Sequence, residues 1–436
     1  MEIFYKILAI GFSLSILLNA YYIKRVVGTW FFPGTLFSLF WFAFTFFPLI
    51  IFFSEPVNVL AILFIVVCIV LFSWTAAFFD WHKAYNHNKL KVSASIAYNT
   101  RFMRTLLITF IFISIISVIF QVLAQGINLK DIFMHPLYTA GRYAAKRYAE
   151  ELVTTNYQAL SLLFSFFSAA IGGLLFGSIN TKKRFTTLLC LMPSFLVMVT
   201  QGQKGLFFLT IFLFLGGIMV TLFHKKKLLL FKYKTIKQAF KIFLLLLVLL
   251  SYSLLSRGLQ YTSDWKYVYS KLIDKIGSYT LTHLYGFSDW FSAYIGLESK
   301  LTYNVQNNYF GFYTFNFITK RFVDKKKLIM GTYDEYFYID EMKSNIYTIF
   351  RGLIMDFGIV GTLFFLFING LIIHFFFYMF LSSKRPSVTV AIVIYMLAYF
   401  YMSFLISLLT WNMTVVSFMG LLFILIINKY KFVIKK

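Results

Sequence analysis

The chain has 436 residues, of which 60% are hydrophobic, 21% aromatic and only 13% charged. A water-soluble domain of that composition has too little polar surface to cover itself, so the surrounding solvent is expected to be lipid. The formal net charge of +25 follows membrane topology, as shown below, and needs no nucleic-acid partner.

A spanning helix takes roughly 20 apolar residues. Such runs fall at 3–23, 30–53, 57–79, 105–125, 157–178, 185–200, 206–223, 238–256, 353–380, 388–408 and 414–428. They predict an all-α polytopic membrane protein of about 11 transmembrane helices, with the sixth, seventh and last runs short enough to be re-entrant. The first run lacks a basic leader and a small-residue cleavage site, so it reads as a retained span. Cys68 and Cys190 both lie inside apolar runs and point to neither a disulfide framework nor a thiolate metal site.

Lysine and arginine accumulate on the cytoplasmic side of short loops. Alternate connections carry Lys24-Arg25, the stretch 83–104, Lys182-Lys183-Arg184, the run 225–241, Lys384-Arg385 and the tail 429–436, together 23 basic residues against the single acid Asp80. The intervening connections are close to neutral. This pattern predicts an N-terminus outside the cytoplasm and a C-terminus inside it. It divides the chain into eight spans over 1–256 with a smaller outer loop at 126–156, one large outer loop at 257–345, and three spans over 346–436. In the large loop, 266–276 has helical spacing, and 331–338 reads as a turn followed by a short extended or helical piece.

The segment Ser344–Gly361 joins that loop to the ninth span and carries Arg351 and Asp356 at the lipid boundary. An ionised group there needs a partner or an aqueous cavity. Five positions apart on a helix, the two point in different directions, so each is expected to find its partner elsewhere. The plainer reading of Arg351, and of Arg257 after the eighth span, is an interfacial anchor whose charge reaches the headgroups.

The run Asn345-Ile-Tyr347-Thr-Ile-Phe-Arg351, followed by Asp356-Phe-Gly358 and Gly361, resembles the signature of the oligosaccharide repeat unit polymerases, the Wzy-type O-antigen polymerases. Lesser likenesses lie in Gly202-Gln-Lys204-Gly205, Gly286-Phe-Ser-Asp289-Trp290 and Tyr309-Phe-Gly311-Phe-Tyr313-Thr-Phe315. The resemblance implies a GT-C-like fold and a glycosyltransferase that joins undecaprenyl-pyrophosphate-linked oligosaccharide repeat units into O-antigen or capsule-type polysaccharide at the periplasmic face of a bacterial inner membrane, which would make the N-terminus and both outer loops periplasmic. The partners it implies are the lipid-linked donor and acceptor, membrane lipids, a chain-length regulator and a flippase. The spacings Arg321 to Gly331 and Arg351 to Gly361 are each one residue shorter than the paired arginine loops of some members. Lys204 stands where arginine is the more usual residue, and an ammonium makes no planar bidentate contact.

Elementary chemistry gives that reaction a form. No GxxxxGK[ST] phosphate loop occurs, and no ATP is supplied outside the cytoplasm, so the donor must be activated before export. A departing pyrophosphate calls for charge-assisted donors, for which Arg351, Arg257 and Arg321 are the candidates. The acceptor hydroxyl needs a base; no spacing singles out one of Asp289, His283, Asp334, Glu335, Asp340, Glu341 and Asp356, and the likeness at Gly286–Trp290 favours Asp289. Lys204, Asp356, Tyr347, His283 and Tyr313 complete the substrate-binding set, with Tyr309, Phe310, Tyr313 and Phe315 able to stack on sugar rings. Against these stand ordinary roles: a solvated or capping carboxylate for Asp289, packing for His283, an interfacial lysine at 204. Six scattered histidines without HExxH spacing imply no metal, and no cofactor is expected. The competing functions are an O-antigen ligase using the same donor and a flippase. A flippase would be expected to show related halves and more intramembrane charge.

Overall fold

In the computed structural model, residues 2–88, 99–179, 182–224, 265–305, 310–319, 322, 333–383 and 386–434 are described. Helices α1 (Glu2–Val27), α2 (Pro33–Ile51), α3 (Val59–Trp74), α4 (Trp81–Asn88) and α5 (Thr100–Leu123) are followed by the short α6 (Leu129–Met134) and α7 (Pro136–Tyr148). Then come α8 (Asn156–Ser178), α9 (Met192–Gln201), α10 (Lys204–His224), α11 (Trp265–Thr280), α12 (His283–Tyr294) and α13 (Asn316–Thr319). A hairpin of β1 (Phe337–Ile339) and β2 (Met342–Ser344) precedes α14 (Thr348–Ser382), α15 (Val388–Met402) and α16 (Asn412–Ile434).

Among the described residues, 8 helices are long and apolar enough to cross a membrane, and Thr186–Gln201 and Val388–Met402 are shorter apolar helices. The chain is therefore a mostly helical, multi-pass membrane protein. The expected seventh and last spans are full-length, whereas the tenth, expected over 388–408, is cut short at Met402. The expected eighth span, 238–256, lies outside the described residues. In the described part of the large loop, α11 covers the stretch read as helical and β1 begins within the stretch read as extended. Its antiparallel hairpin pairs Phe337 with Ser344 and Ile339 with Met342, a small departure from an all-α fold.

Two compact units result. One holds Met1–His87, Asp274–Ser382 and Tyr399–Val415; the other holds Asn88–Ile273, Ser383–Ala398 and Val416–Lys436. Polar pairs knit the apolar helices of each, as expected where lipid supplies no hydrogen bonds. In the first unit Ser13 meets Thr45 at 2.6 Å, Asn19 donates to Ser38 at 2.9 Å, and Thr75 meets His374 Nδ1 at 2.7 Å. In the second, Ser114 bonds Ser165 at 2.9 Å and Ser194 bonds Thr210 at 2.7 Å. There α8 and α10 approach closely because Gly173 lacks a side chain that would collide with the Phe214 carbonyl.

Helix α14 decides where the chemistry sits. It is two helices joined at Gly358, whose φ of 70° and ψ of −179° belong to a region that L side chains avoid. Before the break every residue from Thr348 to Asp356 is buried. After it burial recurs at Thr362, Leu366, Gly370, His374 and Phe377, the one-sided pattern of a helix with its other face open to lipid. The ninth span is thus preceded by a short helix buried on all sides, which brings Arg351 and Asp356 into the protein.

Candidate functional site

The hairpin and the start of α14 form one local framework within the first unit. Asn345 Nδ2 donates to the Tyr333 carbonyl at 3.2 Å, and Tyr347 Oη donates to the Glu335 carbonyl at 3.1 Å. These bonds hold 333–335 beside 345–347 and deliver the Glu335 carboxylate to Arg351. Arg351 Nη2 lies 3.0 Å from each Glu335 carboxylate oxygen. Arg351 is 2% exposed, whereas the Glu335 side chain is 26% exposed and forms the open wall of the site.

Four aromatic rings surround the guanidinium. Its carbon lies 4.0 Å from the Tyr333 ring centroid, 4.3 Å from Tyr347, 5.4 Å from Trp290 and 5.5 Å from Tyr303. Electron-rich ring faces stabilise a desolvated cation there. Burial pushes the Tyr347 hydroxyl up to about 12, and burial raises Tyr303, Tyr333 and Tyr313 as well. These phenols therefore stay protonated and the cage walls stay neutral. Arg351 Nε and Nη1 are buried without a hydrogen-bond partner among the described residues. The two unused donors lie on different edges of the planar guanidinium, with Nη2 common to both, so each can hold one anionic oxygen.

Missing side chains make room for the cage. A Cβ on Gly286 would sit 3.2 Å from Tyr347 Cε1, and one on Gly352 would sit 3.1 Å from Tyr313 Cβ and 3.3 Å from Tyr333 Oη. Helix α12 adds Trp290 over the guanidinium, and Asp289 fixes the neighbouring phenol: Asp289 accepts from Tyr303 Oη at 2.8 Å and from the Lys300 backbone at 2.7 Å.

Asp356 has its own partners, as the helical spacing required. It accepts the backbone N–H groups of Tyr313 at 3.0 Å and Thr314 at 2.7 Å, while Thr410 Oγ1 donates to the Tyr313 carbonyl at 2.7 Å. Asp356 thus fastens the 310–319 segment to the end of the buried half-helix. Tyr313 stacks on Tyr333 with centroids 5.6 Å apart, so one of its faces is already occupied.

The sequence-derived candidates separate accordingly. Arg351, Tyr347, Asp289, Tyr313 and Asp356 meet in this framework, directly or through one intermediary. Glu335 appeared in the sequence only as one of several loop carboxylates, yet it is the residue that touches Arg351. Trp290 belonged to a quoted likeness, whereas nothing in the sequence marked Tyr303 or Tyr333. His283 lies elsewhere in the unit: its Nε2 meets the Phe44 carbonyl at 3.0 Å, its ring packs on Phe44 and Phe404, and burial lowers its pKa to about 4. That is a neutral packing histidine. Lys204 is buried at the start of α10 in the second unit, after Gly202 in the left-handed conformation with φ of 66°. In the same turn Arg147 Nη2 donates to the Gln201 carbonyl at 3.0 Å. Arg257, Arg321 and Tyr309 lie outside the described residues.

No family model, no curated protein and no solved structure matches this chain.

Proposed function

We propose that the chain is a membrane glycosyltransferase that polymerises undecaprenyl-pyrophosphate-linked oligosaccharide repeats at the periplasmic face of a bacterial inner membrane. The observation that carries this reading is Arg351: a buried guanidinium in an aromatic cage, held on one nitrogen by a carboxylate and, among the described residues, unpartnered on two others. The resemblance of Asn345–Gly361 to the repeat unit polymerases and the hairpin folded beside it support the same conclusion.

In this reading the unused Nε and Nη1 bind the donor's pyrophosphate and stabilise the charge that develops as the anomeric C–O bond to phosphate breaks. The acceptor's hydroxyl oxygen forms the new bond to that anomeric carbon. Its proton passes to a carboxylate, and the lipid pyrophosphate departs as the anion. Glu335, whose side chain is 26% exposed, is better placed for the proton than Asp289. Asp289, engaged by Tyr303 and Lys300, is a positioning residue.

The test is removal of the gene followed by glycan profiling. A polymerase predicts loss of the long-chain ladder with a single repeat still attached to the lipid A core. Loss of every repeat would assign the chain to ligation or lipid flipping and overturn the proposal.

A further inference from the structure

A second buried cation in the first unit has no place in that chemistry. Lys6 lies near the start of α1 and is 3% exposed. Its ammonium donates to the Glu55 backbone carbonyl at 2.6 Å and to Tyr285 Oη at 2.7 Å, and stands 4.6 Å from the Tyr285 ring centroid. All of these partners are neutral. The Glu55 carboxylate nearby is ion-paired with Lys300, and among the described residues no carboxylate forms an ion pair with Lys6. The Glu55 carboxylate attracts the ammonium without bonding it, and a buried charge lacking a bonded counter-ion in an apolar helix is costly and marks a ligand site.

Beside it lies a cavity of about 320 Å³ lined by polar Lys6, Ser54 and Glu55 together with apolar Ile3, Phe53 and Val57. An ammonium has three donors, and the two bonds above leave one for a guest. Lys300 holds the Glu55 carboxylate of the cavity wall in an ion pair, which leaves the third Lys6 donor to an anionic guest. Ile3 is 66% and Phe53 45% exposed, which gives the rim an apolar surface. The cavity also sits where α1 begins and α2 gives way to α3, at the ends of three candidate spans. That depth is where headgroups lie.

We propose that this cavity binds the phosphate of an anionic phospholipid, with Lys6 as the phosphate ligand and Ile3 and Phe53 against the start of the acyl chains. Tyr285, which also meets the carbonyls of Pro48 at 3.1 Å and Phe52 at 2.8 Å, holds Lys6 in place from α12. The site is independent of the glycan reading, since it shares none of the groups that touch Arg351.

The experiment places the full chain in nanodiscs of phosphatidylcholine containing a minor share of phosphatidylglycerol and counts retained lipids by native mass spectrometry. Wild type is expected to retain phosphatidylglycerol. Lys6→Gln removes a charge-assisted bond and should weaken retention roughly ten- to hundredfold. Val57→Trp fills the cavity without touching either Lys6 hydrogen bond and should weaken it comparably, which separates loss of the site from loss of the fold. A parallel arm adds inorganic phosphate to delipidated protein in detergent. Stabilisation there that disappears in Lys6→Gln would show the same phosphate chemistry with a soluble source. Equal phosphatidylglycerol retention in all three chains, or no preference for it over phosphatidylcholine in wild type, would overturn the proposal.

Discussion

Arg351 and Lys6 are both buried cations at the ends of apolar helices in the same unit, and both are touched from α12, yet their surroundings differ in kind. Arg351 has four ring faces and the Glu335 carboxylate around it, with two nitrogens unpartnered among the described residues. Lys6 has one ring, a carbonyl, a phenol and an open cavity. A planar guanidinium in a rigid cage is arranged to grip one charge distribution in one orientation, as a reaction requires. A compact ammonium beside an amphiphilic cavity makes fewer directional demands and suits a resident lipid.

That contrast breaks first at Arg351. Arg351→Lys keeps the charge but loses the fork, and polymer formation should fall on the order of 10²- to 10³-fold. The ladder on a denaturing gel, normalised to the amount of inserted protein, reads this directly. A ladder close to wild type would mean that charge alone suffices and that the two cation sites do not differ in kind.

A smaller effect is expected at Gly358. Nothing lies within 4 Å of a Cβ placed there, so Gly358→Ala adds no clash and acts only through its φ of 70°. Holding alanine in that conformation costs about 1–3 kcal/mol. The variant should melt at lower temperature or straighten α14, pulling Asp356 from the N–H groups of Tyr313 and Thr314. An unchanged melting temperature together with unchanged protection of those two amides from hydrogen exchange would show that the break is not needed to present Arg351.

Much of the architecture was legible because lipid imposes a simple rule: apolar length predicts a helix. The rule reached its limit inside 348–382, where hydropathy saw one span but burial divides it at Gly358. The same limit applied to 388–402, where an apolar run outlasted its helix. Arg351 and Asp356 could be singled out because charge in an apolar run demands a partner, and their helical spacing excluded each other. The identity of those partners was not legible. Glu335 reaches Arg351 through a hairpin turn, and Asp356 is met by backbone N–H groups, which leave no trace in side-chain composition. Tyr303 and Tyr333 were indistinguishable from the other tyrosines until the fold gathered them. His283 attracted notice as a titratable loop residue and proved to be core.

The most direct measurement reconstitutes the purified chain in proteoliposomes with undecaprenyl-pyrophosphate-linked repeats as the sole glycan substrate and no nucleotide. Wild type should produce a ladder, and Arg351→Ala, inserted to the same level, should produce none. A normal ladder from Arg351→Ala, or no product from wild type while the donor stays intact, would contradict the assignment of Arg351 to the departing pyrophosphate.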